Sequence, residues 1–132
     1  MRQIIVVGGG AAGMMAAVAA AEAGAAVTLL EKNEKLGKKI YITGKGRCNL
    51  TNAAPMREVQ AQVVSNPRFL YSAFRALTNE DVMRFFERAG CPLKTERGER
   101  VFPVSDHASD VIRALEREMQ AKGVRVRLNT EV

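Results

Sequence analysis

Tryptophan is absent from this chain, and only five phenylalanines, two tyrosines and two cysteines occur in its 132 residues. The aromatic residues are scattered, so the sequence shows no platform on which bases would stack. The two cysteines, Cys48 and Cys91, lack the spacing of metal ligands and cannot staple a chain of this length into a disulfide scaffold. These absences argue against a metal site and indicate a reduced, cytoplasmic setting.

Acidic residues are also in deficit, because 14 Asp and Glu stand against 20 Lys and Arg, for a net charge of +6. The basic residues are interleaved with acids rather than gathered in one block, which is typical of a solvated surface. We therefore expect no nucleic-acid partner. Apolar residues make up 47% and charged residues 26% of the chain, as is ordinary for a soluble globular domain.

A long uninterrupted apolar run is missing as well. The stretch from Ile4 to Leu30 carries a single charge, Glu22, and is long enough to cross a bilayer or to serve as a secretory signal. Glycines break it repeatedly, however, and its β-branched residues cluster at its two ends, which indicates strand, helix and strand. We therefore expect no membrane partner.

The first of these strands is the run IIVV at residues 4–7, which predicts a strand buried on both faces of a parallel sheet. Gly8, Gly10 and Gly13 then match G-x-G-x-x-G, and the alanine-rich residues 11–23 predict a helix. The first glycine permits a tight turn, the second lets the backbone approach a pyrophosphate, and the third lets the helix pack close to the strand. The helix would then direct its free N–H groups at an anion.

Gly24 is placed to end that helix, and residues 26–30 predict the second parallel strand. Glu31 follows at once. An acid here, eighteen residues after Gly13, is where a dinucleotide-binding fold places the carboxylate that accepts hydrogen bonds from the adenosine ribose. The same carboxylate would repel a 2′-phosphate, which disfavours NADP in this site.

A plain NAD-binding fold would continue with a helix and a third strand soon after this acid. Here the next convincing core strand is at residues 124–128, and a long stretch with its own helices and hairpin intervenes. We therefore predict an α/β, Rossmann-like FAD-binding fold whose parallel sheet is interrupted after the second strand by helices and a small hairpin.

Within the insertion, Asn66 and Pro67 mark a helix start, and apolar residues recur behind it at the spacing of a core-facing helix side: Phe69, Leu70, Phe74 and Leu77. Asn79 is expected to cap the next helix. Residues 96–99 predict a turn between strands at 93–95 and 100–102. Ser105 or Asp106 is expected to open a last helix, which runs to about Lys122 and buries one face: Val111, Ile112, Leu115 and Met119.

Three segments carry a recognisable resemblance: residues 7–13, residues 30–39 and above all TGKGRCNLTN at residues 43–52. They resemble the bacterial flavoprotein family that includes aminoacetone oxidase and 3-dehydro-bile-acid reductase, and residues 98–105 resemble a segment of that family too. The resemblance covers essentially the entire chain, but only the amino-terminal third of the family's members.

This resemblance implies non-covalent FAD, with residues 37–52 running beside the pyrophosphate toward the flavin. It implies a small-molecule substrate, with NAD(P)H as a candidate electron donor. It identifies no catalytic residue. Together with the glycine motif and the acid, it gives these cofactor-binding residues: Gly8, Gly10, Ala11, Ala12, Gly13, Glu31, Lys32, Gly37, Lys38, Lys39, Gly46, Arg47, Asn49, Thr51, Asn52 and Val132.

We expect residues 1–132 to form the amino-terminal part of an FAD-binding domain, and the remainder of the flavoenzyme chain to complete the fold. Its parts are a βαβ unit (3–32), a flavin-proximal loop (33–55), a helical and hairpin insertion (56–104), and a helix with the third strand (105–132). Two alternatives stay open: a stand-alone NAD-binding regulatory module and an inactive truncated flavoprotein fragment. His107, the only histidine, is interpreted as a cap or surface group, and Cys48 as a small buried side chain.

Overall fold

The computed structural model describes residues 1–132 and contains the predicted parallel sheet. Strand β1 (Gln3–Val7) leads through helix α1 (Ala11–Glu22) to β2 (Ala26–Leu30), and β6 (Arg125–Arg127) completes the order β1-β2-β6. All neighbours are parallel. The Rossmann-like α/β fold is therefore confirmed, with the insertion between β2 and β6.

One face of this sheet carries the core. Met14, Ala17 and Val18 of α1 are buried, as are Val27 and Leu29 of β2. Helix α6 (Ala108–Ala121) covers the same face with the expected residues, Val111, Ile112, Leu115 and Met119. Alanine suits α1 because small side chains let the two helices lie close to each other and to the sheet.

The opposite face of the sheet is open, which corrects the expectation that the first strand is buried on both faces. Ile5 is 66% and Val7 63% exposed, because both point away from α1 and α6. Arg125 and Arg127 of β6 are exposed as well. Strand β1 is also an edge of the sheet, so its outer backbone groups have no strand beside them.

The insertion contains a second, antiparallel sheet of order β3-β5-β4. The predicted hairpin is present as β4 (Leu93–Glu96) and β5 (Arg100–Pro103), joined by a 3₁₀ turn at Arg97–Glu99. Strand β3 (Thr51–Asn52) pairs with β5 and was not predicted. Two residues are too few for an alternating pattern, so the sequence carries no strand signal there.

Four helices complete the insertion: α2 (Lys38–Ile42), α3 (Met56–Ala61), α4 (Tyr71–Ala76) and α5 (Asn79–Arg88). The residue that caps α5 is Thr78, not Asn79 as predicted. Its hydroxyl accepts from the Asp81 backbone N–H at 3.0 Å, and the Asp81 carboxylate accepts from the Thr78 backbone at 2.9 Å. This reciprocal pair satisfies two helix-end donors at once, which a single asparagine cap does not.

Two further predictions about helices are wrong. The turn Pro67–Leu70 and α4 contain no buried residue, and Phe69 is 85% and Leu77 40% exposed. Their helical spacing therefore does not reflect packing into this chain's core. Helix α6 begins at Ala108 with His107 in the cap position. The Asp106 carboxylate accepts from Lys94 and Arg47, and Ser105 Oγ accepts from the His107 N–H at 3.2 Å, so neither side chain caps the helix.

Candidate cofactor-binding site

The glycine turn between β1 and α1 needs its first and third glycines for different physical reasons. Gly8 has φ +101°, a left-handed conformation that other residues rarely adopt. Gly13 lies against the turn, and a Cβ atom there would overlap the carbonyl oxygen of Gly8. Gly8 therefore shapes the turn, and Gly13 lets α1 approach it closely.

Gly10 has neither requirement. Its φ of −86° and ψ of −168° are extended values that any residue adopts, and an added Cβ atom would meet no atom of the chain within 4 Å. The missing side chain leaves open space in front of the backbone at the start of α1. Such space lets a ligand approach the backbone closely, which is the role expected of the second glycine.

The amino end of α1 faces this space without a protein group to cap it. No side chain accepts a hydrogen bond there, and no acidic residue lies in the first turn. The first N–H groups of a helix, here those of Ala11, Ala12 and Gly13, have no partner inside the helix. Together with the helix dipole they favour an anion such as a diphosphate.

Glu31 at the end of β2 is only 7% exposed and is tied to the glycine turn. Its Oε1 accepts from the Gly9 N–H at 2.8 Å, and its Oε2 accepts from the Asn33 N–H at 2.7 Å. These bonds, the one from Asn33 above all, hold the pKa of the carboxyl below its usual value, so the group is ionised at neutral pH. Each oxygen keeps a further lone pair with which a ribose hydroxyl could bind.

Gly9 is a residue of the glycine turn that the sequence pattern did not select, although the structure gives it specific contacts. Besides its bond to Glu31, its carbonyl oxygen accepts from the Gly37 N–H at 2.8 Å. A Cβ atom on Gly9 would overlap the Leu36 side chain and lie 3.2 Å from Glu31 Oε1. The only sequence signal was that Gly9 is the middle one of three consecutive glycines, a place that the G-x-G-x-x-G pattern leaves free.

The segment after Glu31 packs back on the glycine turn. Gly37 is buried and has φ +70°. A Cβ atom added there would lie only 2.8 Å from Ile112 Cγ1, so packing gives this position a reason to be glycine. The predicted basic residues remain at the surface. Lys32 and Lys39 are exposed, and Lys38 pairs with Glu34 at 3.0 Å. Their contact with a cofactor stays a prediction.

A largely apolar cavity of about 360 Å³ lies between the first turn of α1 and the loop at residues 43–50. Ala11 and Ala12 line it from the helix, and Thr43, Cys48 and Asn49 line it from the loop. The fold thus brings two segments that are far apart in sequence, and that were both predicted to bind the cofactor, to one space.

Arg47 is directed away from that cavity by a four-residue charge cluster, which consists of Arg47, Lys94, Glu96 and Asp106. The Arg47 guanidinium donates to Asp106 Oδ1 at 2.8 Å and pairs with Glu96. Lys94 Nζ lies 2.8 Å from Asp106 Oδ2 and 3.3 Å from Glu96. The hydrogen bonds that Lys94 and then Arg47 donate lower the pKa of Asp106, and donating to Asp106 raises the pKa of Lys94.

Thr51 and Asn52 also face the hairpin. Thr51 pairs with Val101 in the antiparallel sheet, and Asn52 donates to the carbonyl oxygen of Gly98 at 3.1 Å. Asn79 holds this segment in place, a role that the sequence did not reveal. Its buried amide donates to the carbonyl oxygens of Asn52 at 2.6 Å and Ala54 at 2.7 Å. The end of the TGKGRCNLTN segment is therefore anchored to the insertion.

The chain after β6 returns to Glu31. The Thr130 N–H donates to the Glu31 carbonyl oxygen, and the Asn129 N–H to that of Asn33, each at 2.9 Å. Val132 is 82% exposed, and its role in cofactor binding stays a prediction. Cys48 is buried as expected, and burial raises the pKa of its thiol. His107 is exposed, as expected of a cap or surface group. None of the helices combines the length and the apolar character that crossing a bilayer requires.

Comparison with known proteins agrees with this geometry. The family model described as HI0933-like protein Rossmann domain matches residues 2–132. A 3-dehydro-bile acid delta(4,6)-reductase of Clostridium scindens is 37% identical over 102 residues, which are 77% of this chain and 24% of that protein. A ribosomal RNA dihydrouridine synthase of Escherichia coli is 34% identical over 110 residues, which are 83% of this chain and 27% of that protein.

Among solved structures, a 3-ketosteroid-delta4-(5alpha)-dehydrogenase of Rhodococcus jostii matches 97% of this chain and 38% of its own, with a TM-score of 0.68 and 15% identity. At that identity the likeness speaks for the fold alone. The chain spans about a quarter of the length of the curated relatives it matches.

Proposed function

This chain belongs to the HI0933-like family and has the Rossmann-type FAD-binding domain of flavin oxidoreductases, and on that premise we propose that it holds the ADP half of FAD in a longer oxidoreductase. When bound, the flavin would supply the redox chemistry. The residues of this chain bind and orient it, and none of them is assigned as a general acid or base.

The observation that carries this proposal is the open space at Gly10. Neither its dihedral angles nor its neighbours require glycine, whereas a ligand that touches the backbone does. The uncapped amino end of α1 beside it favours the charge of a diphosphate. A group with a pyrophosphate therefore fits the residues that are present.

The other predicted residues take their proposed roles from this placement. Glu31 accepts from the adenosine ribose hydroxyls with the lone pairs that Gly9 and Asn33 leave free. The exposed basic residues Lys32, Lys38 and Lys39 offset the negative charge of the diphosphate. Gly46, Asn49, Thr51 and Asn52 belong to the loop that leads toward the flavin, and the backbone of Val132 lies on the adenine side.

For the complete protein we propose a small-molecule substrate, NAD(P)H as electron donor, and a cytoplasmic location. The reductase from Clostridium scindens supports a reductive reaction on a small molecule. Two free, buried cysteines fit a reducing compartment.

RNA is the second candidate substrate, because one exposed surface suits it. Residues 59–79 contain no acid, and they expose Arg68, Phe69, Tyr71 and Arg75 along one continuous helical stretch. Arginine and exposed aromatic rings together suit phosphates and unstacked bases. Relatives described as ribosomal RNA dihydrouridine synthases point to the same substrate class.

The deciding experiment titrates the purified chain with FAD and, separately, with NAD, and records the visible spectrum of the bound flavin. We expect FAD binding, and at least about tenfold weaker binding by Gly10→Ala, whose unfolding free energy should equal that of the wild type because the new methyl group meets no protein atom. Tight NAD binding without FAD would favour the regulatory module. A colourless aggregate would favour the inactive fragment.

The substrate classes are separated by binding of a ribosomal RNA hairpin. Arg68→Gln with Arg75→Gln should weaken RNA binding and reduce its salt dependence, whereas Arg125→Gln with Arg127→Gln, on the open face of the parallel sheet, serves as a charge-matched control. Equal losses of RNA affinity in both double variants would mean unspecific charge attraction, and the small molecule would remain as the proposed substrate.

A further inference from the structure

We propose that Arg47 is a positioning residue: through Asp106 and Glu96 it holds the loop at residues 43–49 in the shape that the cofactor site needs, and it does not itself bind the cofactor. This inference rests on the proposed function insofar as it concerns FAD. Its structural part, that the charge cluster holds the loop, is independent of any ligand.

The loop needs an external hold because its backbone is strained. Lys45 and Cys48 have φ of 57° and 62°, which place two residues with side chains in the left-handed region, and Gly44 and Gly46 are left-handed as well. Such conformations persist only where surrounding contacts impose them. The 43–46 turn has no capping side chain of its own.

Arg47 supplies that hold with its guanidinium group. Its guanidinium spans two carboxylates, and its planar face lies 4.0 Å from the centroid of the Phe102 ring. Asp106 and Glu96 are in turn each shared with Lys94. With its donors directed at two acids and its face on an aromatic ring, Arg47 is oriented toward the hairpin rather than toward a diphosphate.

The cluster also links distant parts of the chain. Glu96 ends β4 and Asp106 precedes α6, and the Phe102 ring beneath Arg47 belongs to β5. On the other side, Thr43, Cys48 and Asn49 line the cavity that α1 shares with the loop. A change at Asp106 should therefore reach the cofactor site through Arg47.

The two possible roles of Arg47 predict opposite effects of Asp106→Asn. If Arg47 positions the loop, Asp106→Asn and Arg47→Gln should each weaken FAD binding about three- to tenfold, and the double variant should be no worse than the poorer single variant. If Arg47 instead binds the cofactor, Asp106→Asn frees its guanidinium, and FAD affinity should stay equal or rise. The second result would overturn the inference.

Arg100→Gln is the matched control. Arg100 also lies over Phe102, at 5.7 Å, and donates to the carbonyl oxygen of Arg97, but it belongs to no part of the charge cluster. It should leave FAD affinity unchanged. Arg47→Lys should restore affinity only in part, because one ammonium group cannot span two carboxylates as a guanidinium does.

A second readout needs no flavin and so separates this inference from the proposed function. Cys48 is 5% exposed and lies next to Arg47, whereas Cys91 is 2% exposed and lies outside the loop. Arg47→Gln and Asp106→Asn should speed the reaction of Cys48 with a thiol reagent about tenfold or more, at unchanged Cys91 reactivity and melting temperature. Unchanged Cys48 reactivity in a folded variant would refute the positioning role, whatever the chain does with FAD.

Discussion

Replacing Glu31 tests whether its carboxylate holds the glycine turn as well as the cofactor. Glu31→Ala removes two acceptors and leaves the Gly9 and Asn33 N–H groups without a partner, the first of them in a buried position. Hydrogen bonds to charged groups contribute about 1.5–3 kcal/mol each, and water can reach the Asn33 side, so we expect a loss of about 2–4 kcal/mol in the free energy of unfolding. That corresponds to roughly 6–16 °C in melting temperature.

The assay is chemical denaturation of the ligand-free chain, followed by circular dichroism. Glu34→Ala is the control, since Glu34 is an exposed acid nearby whose ion pair with Lys38 should contribute little. The free energy of unfolding of Glu31→Gln should lie between those of the wild type and Glu31→Ala, because the amide retains one acceptor but places a donor opposite the other N–H.

The pH dependence of this effect has a definite sign. The pKa of Glu31 is lower in the folded chain than its ordinary value of 4.5. Its stabilising contribution is therefore fully present above that ordinary value and is lost as the pH falls through the lowered pKa. The stability difference between wild type and Glu31→Gln should shrink on acidification.

FAD affinity completes the test. Glu31→Ala should also weaken FAD binding by about 1–3 kcal/mol, the scale of one charged hydrogen-bond partner. Unchanged stability with lost FAD affinity would leave Glu31 only its ribose role, and unchanged values of both would refute the reasoning altogether.

Three other changes probe the turn, the insertion and the open sheet face. Gly13→Ala should lower the free energy of unfolding by about 2–4 kcal/mol, because its methyl group would overlap the Gly8 carbonyl oxygen. A decrease of less than about 0.5 kcal/mol in chemical denaturation would contradict that packing. Asn79→Ala leaves two backbone carbonyls without their donor and should cost about 1–3 kcal/mol, with faster hydrogen exchange around residues 52–54 as the specific sign. Ile5→Thr with Val7→Thr should reduce light scattering of the isolated chain at unchanged helix content, whereas equal scattering would show that the open sheet face does not drive association.

Much of the fold was predictable because local signals agreed with one another. The β-branched runs, the alanine-rich helix and the turn glycines predict β1, α1 and β2 within a residue of their bounds, and the two hairpin strands were predicted as closely. Two of the failures share a cause. Strand β3 and the exposure of Phe69 depend on what lies opposite in space, which a pattern along the chain does not contain. The Thr78 cap is different, because its partner Asp81 is only three residues away and the pair was a local signal that the prediction of Asn79 overlooked.

In the candidate site, too, local sequence signals were predictable and long-range contacts were not. The sequence by itself determined the family, the glycine turn and the acid that follows β2, because a tight turn, a close helix and a carboxylate at the strand end are properties of residue type and spacing. Only the tertiary structure decided that Glu31 binds Gly9, that Gly9 has no room for a side chain, and that Arg47 faces Asp106 across 59 positions of chain. Hydrogen bonds and ion pairs form between atoms within about 3 Å of each other, and folding alone brings such distant residues to that distance.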